Sequence, residues 1–158
     1  MSEHNDHMDH ARVKIHPPVL LLLHIAGAFL LNWILPLPFA FLKPFEWVGY
    51  IAVCIGLGLA FSAVNQFGKA NTTLDPHGSV SAIVMSGPYR LSRNPIYLGF
   101  VCTLSGLPLA LGNYWGMVLS PLLMNLMVRF VIQHEEAYLE KKFQDVYTSY
   151  KSRVRRWL

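Results

Sequence analysis

Between Ile96 and Val128 there is no Asp, Glu, Lys or Arg, and between Pro18 and Leu42 the only ionisable side chain is His24. Apolar runs of about 18 residues or more are long enough to cross a bilayer. In hydrocarbon, a helix is the simplest segment that satisfies its own backbone hydrogen bonds. These runs exclude a soluble globular domain, a disordered chain, a collagen and a disulfide scaffold. The remaining composition agrees: 53% of the 158 residues are hydrophobic and 14% are charged, where soluble domains carry about a quarter charged. A chain of this length reads as one domain. The expected fold is all-α and membrane-embedded, with four transmembrane helices, a cytoplasmic C-terminal helix and a cytoplasmic pocket.

The first span runs from Pro18 to about Leu35, where Pro36 and Pro38 end or kink it. The others run from about Trp47 to Phe67, Ile96 to Leu111 and Tyr114 to Ile132. Only Gly112 and Asn113 separate the last two, which predicts a tight helical hairpin. Gly56, Gly58, Gly99 and Gly106 are small enough for close helix contact. Trp47, Tyr114 and Trp115 stand at span ends, where amphipathic rings favour the headgroup level. With four crossings, twelve of the 13 basic residues fall on one side and only Lys43 on the other. The positive-inside rule then makes both termini cytoplasmic. The net charge of +4 is a topology signal, not a nucleic-acid surface.

Cys54 and Cys102 lie in apolar runs and read as small buried hydrophobes, without zinc spacing or a prenylation box. Residues 1–16 read as a polar, disordered leader, not a cleavable signal, ahead of a membrane domain over 17–158. The leader's His4, His7 and His10 are spaced for a metal, but a polar tail explains them, and no metal site is expected.

Polar sequence gathers in two cytoplasmic blocks, Gly68 to Pro95 and His134 to Leu158. In the second, Leu139, Phe143, Val146, Tyr147 and Tyr150 recur at helical spacing, which predicts one apolar face on a helix continuing the fourth span. Glu135 and Glu136 stand where that helix leaves the bilayer, a costly place for unpaired carboxylates. In the first block, Ser86-Gly87-Pro88 signals a turn and Asn94-Pro95 opens the third helix. Its N-terminus could hold an anion, Tyr89 and Tyr97 could meet a cation, and Arg90 and Arg93 could contact anions or lipid headgroups.

The order SGPYR, RNPxYLG, apolar hairpin, EExxLxxxF, YxxY and VxRW resembles the isoprenylcysteine carboxyl methyltransferase and phospholipid methyltransferase superfamily, over about Gly68 to Trp157. Thr72-Thr73-Leu74-Asp75-Pro76 resembles the lead-in of its bacterial branch. The resemblance implies an integral-membrane enzyme that uses S-adenosylmethionine, methylates a lipophilic acceptor among membrane lipids, and sits in a bacterial inner membrane. It implies cofactor contacts at Ser81, Ala82, Ile83, Val84, Tyr89, Arg93, Asn94, Pro95, Ile96, Tyr97 and Glu135. Glu135, Glu136 and Arg129 are the expected catalytic groups. Three positions depart from the family pattern. Asn94 replaces a His and cannot titrate near neutrality. Val131 stands where the prenylcysteine enzymes carry a substrate-contacting Arg, with Arg129 the nearest basic residue. Gln144 replaces a Gly after Phe143.

Methyl transfer is an in-line displacement, governed by alignment and exclusion of water. A carboxylate or thiolate acceptor needs no base, whereas an ethanolamine amine needs one, for which Glu135, Glu136 or His134 qualify. The acceptor could be a prenylcysteine carboxylate, a phospholipid amine or a small thiol. Two other readings are an NADPH-dependent membrane reductase and a non-catalytic scaffold. The sequence carries no sign of oligomeric state.

Overall fold

The computed structural model describes residues 13–38, 40–70, 72 and 80–158. His4, His7 and His10, and all of the Thr72–Pro76 lead-in but Thr72, lie outside them. The described residues hold helices and no strand. Helix α1 is Pro17–Ile34, α2 is Glu46–Lys69 and α3 is Pro95–Ala110. Short α4 (Trp115–Val118) and α5 (Ser120–Met127) lead through a π-helical stretch, Val128–Ile132, into α6, Gln133–Arg153. Pro stands at the start of α1, α3 and α5, where its missing N–H is no loss.

Three stretches are long and apolar enough to cross a membrane: Pro17–Ile34, Lys43–Lys69 and Trp115–Arg153. The last of these turns polar from Gln133 onward. The fourth apolar helix, α3, is shorter, about 24 Å at 1.5 Å per residue. Large apolar side chains point outward, among them Trp33, Leu22 and Phe61, as a lipid-facing surface requires. Cys54 is on that outer surface and not buried as expected, and both cysteines are free.

Glycine sets the tightest contact. A Cβ on Gly56 would stand 2.5 Å from the Gly99 carbonyl, and one on Gly106 2.7 Å from the Gly49 carbonyl. Gly49 and Gly56 on α2 and Gly99 and Gly106 on α3, each pair seven residues apart, draw the two helices into antiparallel contact. Gly58, expected to join them, faces open space. The α3–α4 hairpin turns at Gly112, whose φ of 73° favours glycine. Buried Asn113 donates from Nδ2 to the Ala28 carbonyl at 3.0 Å and ties the hairpin to α1. Tyr114 is buried against the bundle, while Trp47 is exposed. At the other end of the bundle, the Lys14 N–H donates to the Phe130 carbonyl in the π-helical stretch at 3.1 Å. Val13 and Ile15 pack on the same core as Val131.

Candidate active site

The sequence around Gly87 turns because Gly87 adopts φ 58° and Pro88 fixes the next residue in a 3-10 turn, Gly87–Arg90. Ser86 Oγ donates to Gln66 Oε1 of α2 at 2.9 Å. Tyr89 is thereby buried with its ring edge-on to Phe67, the centroids 5.8 Å apart. The Tyr150 hydroxyl donates to the Tyr89 carbonyl at 2.7 Å. That bond pins α6 over the turn.

The C-terminal tail completes the frame. Arg93 N–H donates to the Arg155 carbonyl at 2.9 Å. Ser92 Oγ and Asn94 Nδ2 both donate to the Arg156 carbonyl, at 3.1 and 3.0 Å. Asn94, just before α3, therefore points at the tail and does not cap its helix. The Arg156 guanidinium grips Glu136 with two hydrogen bonds, 3.0 and 2.7 Å, and Arg93 Nη2 lies 3.2 Å from the same carboxylate. Glu136 is buried and held by two cations, the arrangement a buried carboxylate requires.

These contacts enclose a cavity of about 430 Å3, within the usual range for small-molecule sites. Ala82, Ile83, Val84, Tyr89, Arg93, Asn94, Ile96, Tyr97, Glu135 and Glu136 line it. Of the other expected residues, Ser81 is exposed, its N–H donating to Thr72 Oγ1 at 3.1 Å. Pro95 is buried at the start of α3, and Arg129 is exposed on the π-helical stretch; neither lines the cavity. The sequence reading missed Phe67, Phe100 and Tyr138, which complete the apolar wall with Tyr147 and Tyr150 of the YxxY motif.

Two groups in the cavity are chemically unusual. Tyr97 donates its hydroxyl to Glu135 Oε1 at 2.6 Å. Burial pushes the Glu135 carboxyl up to about 7, opposed by the Tyr97 hydrogen bond and aided by nearby Glu136. Arg93 is the other: its Nε and Nη1 are buried with no hydrogen-bond partner among the described residues, which is unfavourable unless something binds there. Burial also raises the Tyr147 phenol to about 12, and those of Tyr89 and Tyr150 further. All three therefore stay neutral. The cavity thus offers an aromatic wall, two buried cationic N–H groups seeking an acceptor, and a carboxyl that titrates near neutrality.

The phospholipid methyltransferase family matches residues 45–146. An uncharacterized protein of Haemophilus influenzae is 42% identical over 66 residues, 40% of this chain and all of that protein. The protein-S-isoprenylcysteine O-methyltransferase of Schizosaccharomyces pombe is 31% identical over 104 residues, 65% of this chain. The aligned part spans 44% of that enzyme, under half its length. No solved structure matches the chain.

Proposed function

Since the chain belongs to the phospholipid methyltransferase family, we propose that it is a membrane methyltransferase that moves a methyl group from S-adenosylmethionine to a lipophilic acceptor. The observation that carries this reading is the single cavity joining the RNPxY start of α3 to Glu135 of α6, with unsatisfied Arg93 in its wall. The residues suit such a donor. The free Arg93 N–H groups match a carboxylate, the Glu135 carboxylate matches a cationic centre, and the aromatic wall matches a planar base or a sulfonium. When bound, the donor supplies an electrophilic methyl group. The chain's own part is alignment and exclusion of water. Tyr97 orients Glu135, and Tyr150, Asn94 and the Glu136 clamp hold the lid formed by α6 and the tail.

The cavity faces the cytoplasm in this reading, with both termini on that side and the protein in a bacterial inner membrane. Four crossings are favoured because α3 follows α2 through both glycine pairs, so it traverses wherever α2 does. The basic residues then divide twelve to one. The water-soluble donor enters from the cytoplasm and the acceptor arrives laterally between helices. Calorimetry on the purified protein with S-adenosylmethionine, its demethylated product and NADPH tests the reading. The first two should bind, NADPH should not, and Glu135→Ala should abolish donor binding while the fold survives. NADPH binding alone would move the chain to the reductase reading.

A further inference from the structure

The structure points to a second ligand site, within the membrane and separate from the active-site cavity: we infer that the cleft between α1 and α5 binds a small lipophile carrying one hydroxyl group, held by His24. His24 is 6% exposed and lies seven residues into α1, about 10 Å along its axis from Pro17. An intramembrane histidine needs a physical reason to be there. Half of that reason is structural. Pro108 inside α3 has no N–H, so the Leu104 carbonyl four residues earlier loses its helical donor. The His24 ring faces that stretch of backbone.

The other half is unaccounted for by the protein. A neutral imidazole that donates from one nitrogen accepts at the other. His24 Nε2 is buried with no hydrogen-bond partner among the described residues. His24 lines a cleft of about 240 Å3 whose other walls are apolar, including Leu20, Leu31, Leu119 and Leu123. A buried acceptor among leucines selects one polar feature, a hydroxyl that donates, on an otherwise apolar body. Phospholipid donors stay at the headgroup level, so the occupant is a neutral long-chain or cyclic alcohol dissolved in the bilayer. The cleft is too small for a whole lipid.

The test uses the full chain, labelled with 15N-histidine, in lipid nanodiscs. The probes are 1-decanol and decyl methyl ether, which has the same apolar body but no donor. The His24 Nε2 resonance, assigned by its loss in His24→Phe, should shift saturably with the alcohol and not with the ether. Because His24→Phe removes a buried polar side chain from the bundle, Gly27→Leu is the second variant. Gly27 lines the cleft, and a Cβ there meets only Leu119 Cδ1, at 3.7 Å. The larger side chain fills the space while His24 is retained, so the alcohol shift should disappear. Equal shifts with both probes, no shift with either, or a shift that survives Gly27→Leu would each overturn the site.

Discussion

At the scale of single residues, Glu135 and Gln144 carry the sharpest consequences. The Glu135 carboxyl, raised by burial from 4.5 to about 7, binds its proton more tightly folded than unfolded. Its contribution to stability is therefore full below about pH 4.5 and is lost as pH rises through 7. Glu135→Gln should flatten the pH dependence of stability in that window, measured by thermal unfolding in detergent. Methyl transfer should run the opposite way. A carboxylate that binds a cation or takes a proton must be ionised, so the rate of the parent should climb through about pH 7. Gln144 is a different case. It is the one non-glycine residue among the described residues with positive φ, at 42°, and it breaks the helical geometry of α6. The resemblance places a Gly there, and the backbone explains why, since an L side chain in such a conformation costs about 1–3 kcal/mol. Gln144→Gly should stabilise the protein by about 1 kcal/mol after the unfolded-state entropy of glycine is subtracted, read as a raised melting temperature.

At the scale of elements, the antiparallel contact of α2 and α3 separates two glycines that look alike in sequence. Gly56→Ala would drive a methyl to within 2.5 Å of the Gly99 carbonyl and the Thr103 hydroxyl, whereas Gly58→Ala enters open space. The first should lower stability by more than about 2 kcal/mol as an overpacked contact; the second should be neutral or slightly stabilising, since Ala favours helix over Gly. Parallel melts in detergent check the pair. Sequence spacing identified Gly56, Gly99 and Gly106, but it could not say which way Gly58 faces and it passed over Gly49. The apolar face expected on α6 is legible only in part. Tyr147 and Tyr150 are buried, yet Val146 is 55% exposed, because the break at Gln144 resets the helical phase. No local pattern announces that break; only the absence of the expected Gly hints at it. The spans were legible because hydropathy is a local property. The Glu136–Arg156 and Arg93–Arg155 contacts were not, because they join residues 20 and 62 apart in sequence.

At the scale of the whole molecule, the placement of cations bears on which lipophile accepts the methyl group. The prenylcysteine enzymes resembled by the sequence carry an Arg where this chain has Val131. Here Val131 is fully buried, packed in the core cluster with Leu20, Val101 and Met127, and is not part of the cavity wall. Arg129, the nearest basic alternative, is exposed and also outside the wall. Among the described residues, Arg93 is the one Arg or Lys that lines the cavity. It already faces Glu136, and the proposed donor takes its remaining N–H groups. An acceptor carboxylate is then left without the charge-assisted, two-pronged partner that such a group needs. Losing that partner costs about 1.5–3 kcal/mol, roughly ten- to a hundredfold in binding or rate. An amine acceptor meets better chemistry, because Glu135, titrating at about 7, can take its proton near neutral pH. A thiol, ionised more readily, needs no such base. Tritiated methyl transfer to a farnesyl-cysteine analogue, an ethanolamine phospholipid and a small lipophilic thiol should therefore favour the last two. Glu135→Gln should depress the amine reaction more than the thiol reaction. Efficient, saturable methylation of the farnesyl-cysteine analogue that persists in Arg129→Ala would show that the cavity recognises a carboxylate without either basic position, and the argument from charge placement would fail.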